Sequence, residues 1–358
     1  MIKPRYLVSA CLAGENCRYD GKNNYNERIA NLVREGLGVL ICPEVMGGLK
    51  TPRTPCERCG NRIINQNGED KTVEFNHGAE VALEIAYRKG IKKAILKEYS
   101  PSCGKNRISD GTFTHTHIPG KGVTTELLED NGFLTYSEED EVLYDAIIVA
   151  AGSGTRTGLP YNKVFYHSGV VTVIEKTAEP FIADYLCGKV IIVCKEEERP
   201  MFEAFLPYDK VIYVNGGKSR EESVYNGLKL VEAPYVLVHD GARGNISDEL
   251  VDKITRELKK GHRCVVPYID AIDHKRDYVI DGRSIQTPQA HHTELIRQAM
   301  EDAFDNLADY RDESSIIEEL TEIEIRYIKG DVNNFKITEK EDLEIWASMH
   351  TKEVEEND

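Results

Sequence analysis

The stretch that most constrains the fold lies near the middle of the chain, where an uncharged apolar run passes directly into a glycine turn. Residues 146–151 are small or β-branched, which is typical of a strand buried on both faces of a sheet. Gly152 and Gly154 follow, and glycine lets a backbone approach a ligand closely while consecutive N–H groups bind phosphate oxygens. Arg156 and Lys163 then place two positive charges after the turn. The stretch therefore predicts a site for a nucleoside triphosphate.

Two familiar phosphate-binding loops do not match this turn. A dinucleotide fold needs a third glycine where a helix opens, and the chain has Thr157 at that position. Pro160 also disfavours a helix that runs straight on from the turn. A Walker A loop needs Gly-Lys-Ser/Thr after four intervening residues, which this stretch lacks. The alternatives that stay open are a plain tight turn and a loop that wraps a triphosphate and supplies Arg and Lys from its far side.

Charge is distributed unevenly along the 358 residues. Residues 1–140 contain 19 basic and 19 acidic side chains, so the whole formal charge of −16 falls on the remainder. An acidic surface argues against nucleic acid as the main partner, but a few local cations still allow a phosphorylated substrate. The length is sufficient for two domains with cores of their own.

The chain has nine cysteines, and six of them fall at or before Cys103. Their number is odd, their spacing is wide, and the charged first residues do not form a signal segment. This usage predicts metal or cluster ligands in a reducing cytoplasm rather than a disulfide framework. No apolar run approaches the roughly 20 residues that a membrane helix needs, so we expect no membrane contact.

Strands alternate with helices in the first 140 residues, which predicts a parallel sheet. Residues 26–35 and 77–89 have the apolar spacing of helices. Each of three predicted strands is followed by a cysteine: 6–10 by Cys11, 37–41 by Cys42, and 93–96 by Cys103. Because sites in open α/β sheets gather at the carboxyl ends of the strands, we expect the three thiols to meet at one edge.

Three converging cysteines suit a [4Fe–4S] cluster with one iron left open. A structural zinc site would need four ligands. The alternative is that each cysteine is a small buried residue at a strand end.

Six short motifs in this region match one family: Ser-Ala-Cys-Leu-x-Gly from residue 9, Arg-Tyr-Asp-Gly from 18, Cys-Pro-Glu-x-x-Gly-Gly-Leu-x-Thr-Pro-Arg from 42, Lys-x-x-Ser-Pro-Ser-Cys-Gly from 97, Gly-Thr-Phe from 111 and Gly-x-Gly-Val from 120. Over nearly all of residues 5–137 the chain resembles the iron–sulfur thiouracil desulfidase-like domains. The resemblance implies a cluster held by Cys11, Cys42 and Cys103, whose open iron would take the sulfur of a thiolated pyrimidine. Glu44 and Ser100 would handle protons.

Three further cysteines depart from the family pattern. Cys56 and Cys59 form a C-x-x-C, which could be a redox pair, half of a zinc site or an adventitious pair. Cys17 is also additional. The acidic run 137–141 is interpreted as a linker, so we predict domains at 1–140 and 141–350, followed by a charged, disordered tail at 351–358.

Buried strands are predicted in the second domain at 189–194, 210–214, 235–238 and 264–268, with helices at 221–230 and 341–349. Each domain is therefore predicted to be α/β, with a mainly parallel sheet flanked by helices. The second strand loop contains Gly216 and Gly217. The strand 235–238 is followed by Asp240 and Arg243, which could bind a metal or a sugar or could form a surface ion pair.

Six ordered segments of residues 144–349 match a second family: AAGSGTR with Lys163 seven residues after Arg156, GGKSREESVYNGL, VHDGAR, QTPQ, RDESSIIE and NFKITEKEDL. They resemble the 2-C-methyl-D-erythritol 4-phosphate cytidylyltransferases and their polyol-phosphate relatives. The resemblance implies a Rossmann-like nucleotide-diphospho-sugar transferase fold of the glycosyltransferase-A type. It also implies transfer of CMP from CTP to a polyol phosphate, release of pyrophosphate, and Mg²⁺ bridging phosphate oxygens.

The same resemblance assigns roles to individual residues. Arg156 and Lys163 would stabilise the transition state and the leaving pyrophosphate, and Lys336 would hold the phosphate of the acceptor. The substrate-binding residues would be those of the glycine loop, the cytosine turn and the acceptor strand end: Ala150, Ala151, Gly152, Gly154, Gly216, Gly217, Arg220, Ser223, Asp240 and Arg243.

Departures from this second family fall on the acceptor side. Ala271 stands where a threonine is usual, Gly244-Asn245 replaces Pro-Phe, and the arm before QTPQ is short, with Arg283 as the match to a family arginine. The acceptor is therefore either 2-C-methyl-D-erythritol 4-phosphate or another polyol phosphate such as ribitol phosphate. That arm makes the dimer contact of the family, so a homodimer is possible. The first domain is either a desulfidase or a redox or scaffold module without turnover, and the second could bind nucleotide without catalysis.

Overall fold

The structure is a computed structural model, and it describes residues 2–152, 154–271 and 279–351. Its contacts divide the chain into two compact units, Met1–Glu141 and Val142–Asp358. Most of the predicted disordered tail, residues 352–358, lies outside the described residues. Within the described ranges, no helix is long and apolar enough to cross a membrane.

The first unit has a parallel sheet and two small hairpins. Its strands are β1 (Tyr6–Ser9), β2 (Gly38–Ile41), β3 (Cys56–Cys59), β4 (Arg62–Asn65), β5 (Lys93–Leu96), β6 (Arg107–Ser109), β7 (His117–Pro119) and β8 (Leu134–Ser137). Its α-helices are α1 (Glu27–Arg34), α2 (Pro43–Met46), α3 (Thr72–Lys89) and α4 (Val123–Asp130). The sheet has the order β2-β1-β5-β8 with every pair parallel, and β3-β4 and β6-β7 form the hairpins.

Local sequence explains where the site-bearing elements lie. β1 is buried along its whole length, as expected for a central parallel strand. The side chain of Asn26 caps α1 by accepting the N–H of Ile29 at 3.2 Å. α2 and α3 touch backbone to backbone, since a Cβ on Gly47 would lie 1.9 Å from the carbonyl oxygen of Glu74. This close approach fixes the short helix that begins directly after Cys42.

The acidic run 137–141 belongs to the first unit and is not a linker. Ser137 ends β8 and is fully buried. Glu138 forms an ion pair with Lys97, and Asp140 pairs with Lys105 at 2.6 Å. Sequence analysis missed β8 because the acidic residues that follow it resemble a solvated connector, whereas in the folded unit they neutralise lysines.

The second unit is built on one large mixed sheet. Its strands are β9 (Tyr144–Val149), β10 (Cys187–Cys194), β11 (Val211–Asn215), β12 (Tyr235–Asp240), β13 (Cys264–Asp270), β14 (Val279–Ile280), β15 (Arg283–Ile285), β16 (Gln289–His292) and β17 (Arg326–Lys329). Its α-helices are α5 (Val173–Ala183), α6 (Arg199–Phe205), α7 (Arg220–Leu228), α8 (Asp248–Lys259), α9 (Thr293–Asp302), α10 (Glu313–Leu320) and α11 (Lys340–Thr351).

Sheet order explains where a ligand can bind. The order is β11-β10-β9-β12-β16-β13-β15-β14, with β17 on β13. β11, β10, β9 and β12 are mutually parallel, and β16 runs antiparallel to both β12 and β13. The carboxyl ends of the parallel strands therefore meet at one edge. The predicted α/β class, with a parallel sheet flanked by helices in each unit, is confirmed.

The glycine loop after β9 has two 3₁₀ turns, Thr155–Thr157 and Lys163–Phe165. The first α-helix after it, α5, begins only at Val173 with a capping box between Thr172 and Glu175. This matches the expectation from Pro160 that no helix runs on from the turn. The loop thus stays at the sheet edge, where its backbone can face a ligand.

Candidate active sites

A cavity of about 500 Å³ opens at the carboxyl ends of β1, β2 and β5. The three predicted cluster ligands line it. Cys11 lies in a 3₁₀ turn, Ala10–Ala13, directly after β1. Cys42 is the N-cap residue of α2, and Cys103 follows β5 in a tight turn. The topology therefore brings together the thiols of three strand ends, as the sequence predicted.

The thiol of Cys17 is the neighbour that most affects two of these cysteines. A hydrogen bond from Cys17 is the main cause that lowers the pKa of Cys42, to about 7, and it also lowers the pKa of Cys11. The amide of Asn24 donates a further hydrogen bond to the sulfur of Cys11 at 3.6 Å. Burial instead raises the pKa of the Cys103 thiol. In two of the three cysteines the thiolate, the form that binds metals, is thus stabilised relative to an ordinary cysteine.

The donor set of this cavity fits an iron–sulfur cluster. Cysteine thiolates are the usual cluster ligands, and each of three would bind a different iron. Over residues 2–152, 154–271 and 279–351, no group of three or more His, Cys, Asp or Glu side chains surrounds a single ion position. The three thiols instead share one roomy cavity.

Glu44 and Ser100 both line the same cavity, each beside a cysteine. The carboxylate of Glu44 forms an ion pair with Arg53 at 2.7 Å, and Arg53 also donates to the carbonyl oxygen of Cys17 at 3.1 Å. The hydroxyl oxygen of Ser100 accepts the N–H groups of Ser102 and Cys103, each at 3.1 Å. Ser100 therefore holds the turn that carries Cys103, a predicted cluster ligand.

Cys56 and Cys59 do not act as a pair. They lie three residues apart on β3, and side chains at that spacing point to opposite faces of a strand. Cys56 lines the cavity, whereas Cys59 is exposed and lies near the carbonyl oxygen of Gly111. The arrangement disfavours a redox pair or half of a zinc site and leaves the adventitious interpretation.

A second cavity, of about 410 Å³, opens at the carboxyl ends of β9, β11 and β12. The predicted residues that line it are Ala150, Ala151, Gly152, Gly154, Arg156, Lys163, Gly217, Arg220, Ser223, Asp240 and Lys336. Gly216 and Arg243 are not among the lining residues and lie behind them. Segments that are distant in sequence therefore converge on the glycine loop.

The predicted cytosine turn is tightly packed. A Cβ on Gly216 would lie 2.6 Å from the Cβ of Ala151, so only glycine fits there without a shift. The hydroxyl of Ser223 accepts the N–H of Gly217 at 2.9 Å and donates to the carbonyl oxygen of Ser219 at 2.8 Å. These contacts join the turn to the start of α7.

Asp240 is the centre of a buried charge network. Its carboxylate lies 2.9 Å from the amine of Lys336, 3.2 Å from the guanidinium of Arg220 and 3.5 Å from that of Arg243. Burial opposes ionisation of Asp240, yet the three cations hold its pKa well below the ordinary value. Arg220 is held in turn by the fully buried Glu313 at 2.7 Å. This is a buried network rather than a surface ion pair.

Lys163 has a different environment. Its amine donates to the carbonyl oxygen of Ile337 at 2.6 Å. Burial lowers its pKa to about 8, and the nearby charges of Lys336 and Arg156 act in the same direction. In the part of the chain that the structure describes, Lys163, Arg156 and Lys218 make no ion pair with a carboxylate. Among the described residues, the cations that flank the glycine loop therefore lack carboxylate counter-ions.

Sequence analysis did not assign Asn162, Lys218 and Ser219, which also line this cavity. The amide of buried Asn162 donates to the carbonyl oxygen of Ala150 at 2.8 Å and to the carboxylate of Glu198 at 2.9 Å. Asn162 thereby joins the segment that carries Lys163 to the end of β9. Ser219 could have been found as the N-cap of α7, because serine before a helical run is a start signal.

Two arginines on the acceptor side lie away from the cavity lining. Arg243 is 3% exposed and donates to the carbonyl oxygen of Asn334 at 2.8 Å. Arg283 lies 5.1 Å and 5.0 Å from the ring centres of Tyr268 and Tyr327. In this structure its cation thus lies over aromatic rings on the sheet, and the match of Arg283 to an acceptor-binding arginine stays a prediction.

A family model for 2-C-methyl-D-erythritol 4-phosphate cytidylyltransferase matches residues 144–351. The chain belongs to this family. A model for 2-thiouracil desulfurase matches residues 6–140. The predicted fusion of a thiouracil desulfidase-like domain with a cytidylyltransferase-like domain is thus confirmed, and with it a Rossmann-like nucleotidyltransferase fold for the second unit.

Individual relatives cover one unit each. The 2-C-methyl-D-erythritol 4-phosphate cytidylyltransferase of Bacillus mycoides is 34% identical over 221 residues, which are 58% of this chain and 97% of the relative. The uncharacterized protein YbbK of Bacillus subtilis is 41% identical over 144 residues, which are 37% of this chain and 95% of YbbK.

Two solved structures are each similar to part of the chain. A [4Fe-4S]-dependent thiouracil desulfidase, TudS, is 45% identical and covers 38% of this chain and 92% of its own, with a TM-score of 0.37. The 4-diphosphocytidyl-2C-methyl-D-erythritol synthase of Anaerococcus prevotii is 29% identical and covers 59% of this chain and 96% of its own, with a TM-score of 0.49.

Proposed function

We propose that the second unit transfers CMP from CTP to a polyol phosphate, with 2-C-methyl-D-erythritol 4-phosphate as the first candidate, and releases pyrophosphate. The observation that carries the proposal is a group of cations around the glycine loop that have no carboxylate partner among the described residues: Arg156, Lys163 and Lys218. A half-buried, partly desolvated cation such as Lys163 is stabilised when an anion binds beside it. A triphosphate supplies that anion, and the tight turn at Gly216 favours a pyrimidine over a purine.

The reaction needs positioning and charge neutralisation more than covalent chemistry from the protein. An oxygen of the acceptor phosphate forms a bond to the α-phosphorus of CTP, and the bond from that phosphorus to the bridging oxygen breaks. Negative charge then grows on the leaving pyrophosphate, beside Arg156 and Lys163. The Asp240 carboxylate would accept a hydrogen bond from a hydroxyl of the acceptor. Lys336 would bind the acceptor's phosphate.

Mg²⁺ fits this cavity only as an ion carried on the triphosphate. Among the described lining residues, Asp240 is the single carboxylate, and three cations already pair with it. Mg²⁺ keeps several waters and binds phosphate oxygens readily, so it does not require more protein ligands here. When bound, it would neutralise phosphate charge.

The identity of the acceptor is less constrained by the residues than the identity of the nucleotide. Ala271 in place of threonine, and Arg283 held over tyrosine rings, favour a second candidate acceptor such as ribitol phosphate. The test is pyrophosphate release from CTP with Mg²⁺ across a panel of polyol phosphates headed by these two. We expect CTP to be preferred strongly over ATP and GTP. Equal turnover with the purine nucleotides would overturn the nucleotide assignment.

We further propose that the first unit holds a [4Fe–4S] cluster on Cys11, Cys42 and Cys103 and removes sulfur from a thiolated pyrimidine. The observation that supports it is the meeting of three thiols and the Glu44 carboxylate in one cavity. When bound, a cluster with an open iron supplies a Lewis acid for the thiocarbonyl sulfur. The balanced reaction adds water across C=S and yields C=O and hydrogen sulfide, with no change of oxidation state.

In this scheme Glu44 takes a proton from the attacking water, and Arg53 orients the carboxylate. Ser100 orients the turn of Cys103. Anaerobically purified protein should release sulfide from 2-thiouracil. A cluster-loaded protein that releases none from any thiolated pyrimidine would instead favour a redox or scaffold role for this unit.

A further inference from the structure

Two sequence motifs to which the proposed reaction gives no role meet behind the second cavity. Gln289, the last residue of QTPQ, begins β16, and Glu313, within RDESSIIE, begins α10. The amide of Gln289 donates to the carboxylate of Asp312 at 2.9 Å, and its oxygen accepts the N–H of Ser314 at 3.0 Å. Glu313 lies between these two contacts. The start of α10 is therefore fixed to the sheet at the residue that carries this carboxylate.

Glu313 holds Arg220 by two points. Its side chain is fully buried and is not part of the cavity lining. Its carboxylate accepts Nη1 of Arg220 at 2.7 Å and Nη2 at 3.3 Å, which is the geometry that fixes the plane of a guanidinium. The Nε of the same group donates to Oδ1 of Asp240 at 3.2 Å. Arg220 is thus held between a carboxylate behind the cavity and one in its lining.

This arrangement determines how the oxygens of Asp240 are used. Oδ2 lies 2.9 Å from the amine of Lys336 and 3.5 Å from Nε of Arg243. Oδ1 accepts the Nε–H of Arg220, whose two terminal nitrogens are bound to Glu313. A carboxylate has about four lone-pair sites in all. Oδ1 therefore keeps capacity for a hydrogen bond from a ligand hydroxyl.

The charge balance shows what Glu313 prevents. Two buried carboxylates, Asp240 and Glu313, face three cations: Arg220, Arg243 and Lys336. Without the charge of Glu313, Asp240 would have to neutralise all three. The fork of Arg220 would then turn to Asp240, because a two-point contact with a carboxylate is the strongest one open to a guanidinium. That contact would occupy the oxygen that a ligand hydroxyl needs.

The cytosine turn is held by other contacts. The hydroxyl of Ser223 joins Gly217 to the carbonyl oxygen of Ser219, and the side chain of Ser219 caps α7 by accepting the N–H of Glu222 at 3.1 Å. These bonds lie within the turn and α7. A change at Glu313 should therefore leave the nucleotide side of the cavity in place.

We propose that Glu313 is a positioning residue for the acceptor: it holds both terminal nitrogens of Arg220 and so keeps an oxygen of Asp240 open to a hydroxyl of the polyol phosphate. Glu313 acts through these two residues, since it lies outside the cavity lining. The proposal rests on the transferase activity proposed above and adds a residue that sets the affinity for the acceptor.

The first test is Glu313→Gln, which keeps the shape of the side chain and removes its charge. Pyrophosphate release is measured with CTP, Mg²⁺ and the acceptor that the panel prefers. We expect KM for the acceptor to rise on the order of tenfold, and KM for CTP and kcat to stay within about threefold. Glu318→Gln, at an exposed position of the same helix, is the matched control and should change none of them. A loss of folded enzyme would instead lower kcat and leave both KM values unchanged.

A double variant tests whether Glu313 acts through Arg220. Arg220→Gln alone leaves Glu313 as a buried charge without this partner and should lower Tm, and adding Glu313→Gln should restore part of that loss. KM for the acceptor in the double variant should equal that of Arg220→Gln, because the two residues act as a unit. Effects that multiply, an unchanged acceptor KM in Glu313→Gln, or an equal rise in KM for CTP would overturn the proposal.

If no polyol phosphate supports pyrophosphate release, the proposed activity fails, and binding decides this proposal separately. Calorimetry then compares the unaltered full chain with Glu313→Gln, using CTP, 2-C-methyl-D-erythritol 4-phosphate and ribitol phosphate as ligands. Weaker binding of a polyol phosphate by the variant, with CTP binding unchanged, supports the role of Glu313. Equal binding by both proteins, or no binding of either polyol phosphate to the unaltered chain, refutes it.

Discussion

The two cavities are similar in size, about 500 and 410 Å³, but they differ in whether the cations of their lining are paired with carboxylates. In the first, the described arginines and lysines of the lining are matched by carboxylates, and thiols and rings make up much of the wall. In the second, Asp240 is paired, but Arg156, Lys163 and Lys218 have no carboxylate partner in the described residues. The comparison teaches that the ligand class depends on which cations lack a counter-ion, and not on how many cations line a cavity.

The largest expected effect is on the thiol cavity. Cys103→Ala should abolish the cluster, because a buried strand-end thiol cannot be replaced by a neighbouring ligand. Iron and acid-labile sulfide are measured on anaerobically purified protein. Cys59→Ala is the control, since that thiol is exposed and outside the lining, and it should retain full cluster content. A cluster that survives Cys103→Ala would contradict the three-ligand site.

Next is Lys163, the cation that distinguishes the second cavity most clearly. Lys163→Ala should lower kcat for pyrophosphate release by roughly 10²–10³, because it removes a group that neutralises charge growing on the leaving group. The affinity for CTP should change much less. Lys253→Ala, on the exposed side of α8, is the matched control and should leave kcat unchanged. An equal loss of CTP affinity and kcat would make Lys163 a ground-state phosphate clamp.

The pKa of Lys163 adds a pH test of the same comparison. Burial lowers it to about 8, so the free enzyme loses this positive charge as the pH rises through about 8. The value of kcat/KM for CTP, which reports the free enzyme, should then fall by about tenfold per pH unit above that point. Lys163→Arg keeps its charge and should show no such fall over the same range. A flat profile for the unaltered enzyme would exclude Lys163 as the charge that CTP requires.

The smallest effect is the response to salt. The attraction between these cations and a phosphate is screened by added ions, whereas stacking of an uncharged ring is not. Raising the ionic strength from about 0.05 to about 0.5 M should raise KM for CTP by about threefold and leave KM for 2-thiouracil nearly constant. Matching salt responses in the two assays would remove the electrostatic distinction between the cavities.

Much of the fold could be predicted because buried strands are continuous apolar runs. The strand at 93–96 coincides with β5, and the run at 146–151 contains most of β9. β8 was missed because its four residues are too few to show the apolar periodicity of a strand, and an acidic run follows them. The helix α8 was also missed, although Ser247 caps it and its charged face is solvent-exposed. Antiparallel β16, inserted between β12 and β13, has no signal in local sequence because its pairing is non-local.

Sequence by itself determined which chemical groups are available: three cysteines at strand ends, a glycine loop with its cations, and the motifs of two families. These are local properties, because a strand, a turn and the residue after them are neighbours in the chain. Tertiary structure alone decided which groups are paired. The partners of Lys97, Arg220 and Lys336 are separated from them by 41, 93 and 96 positions, counting to Glu138, Glu313 and Asp240. Ion pairing acts through space, so only the folded chain shows which cations remain for a ligand.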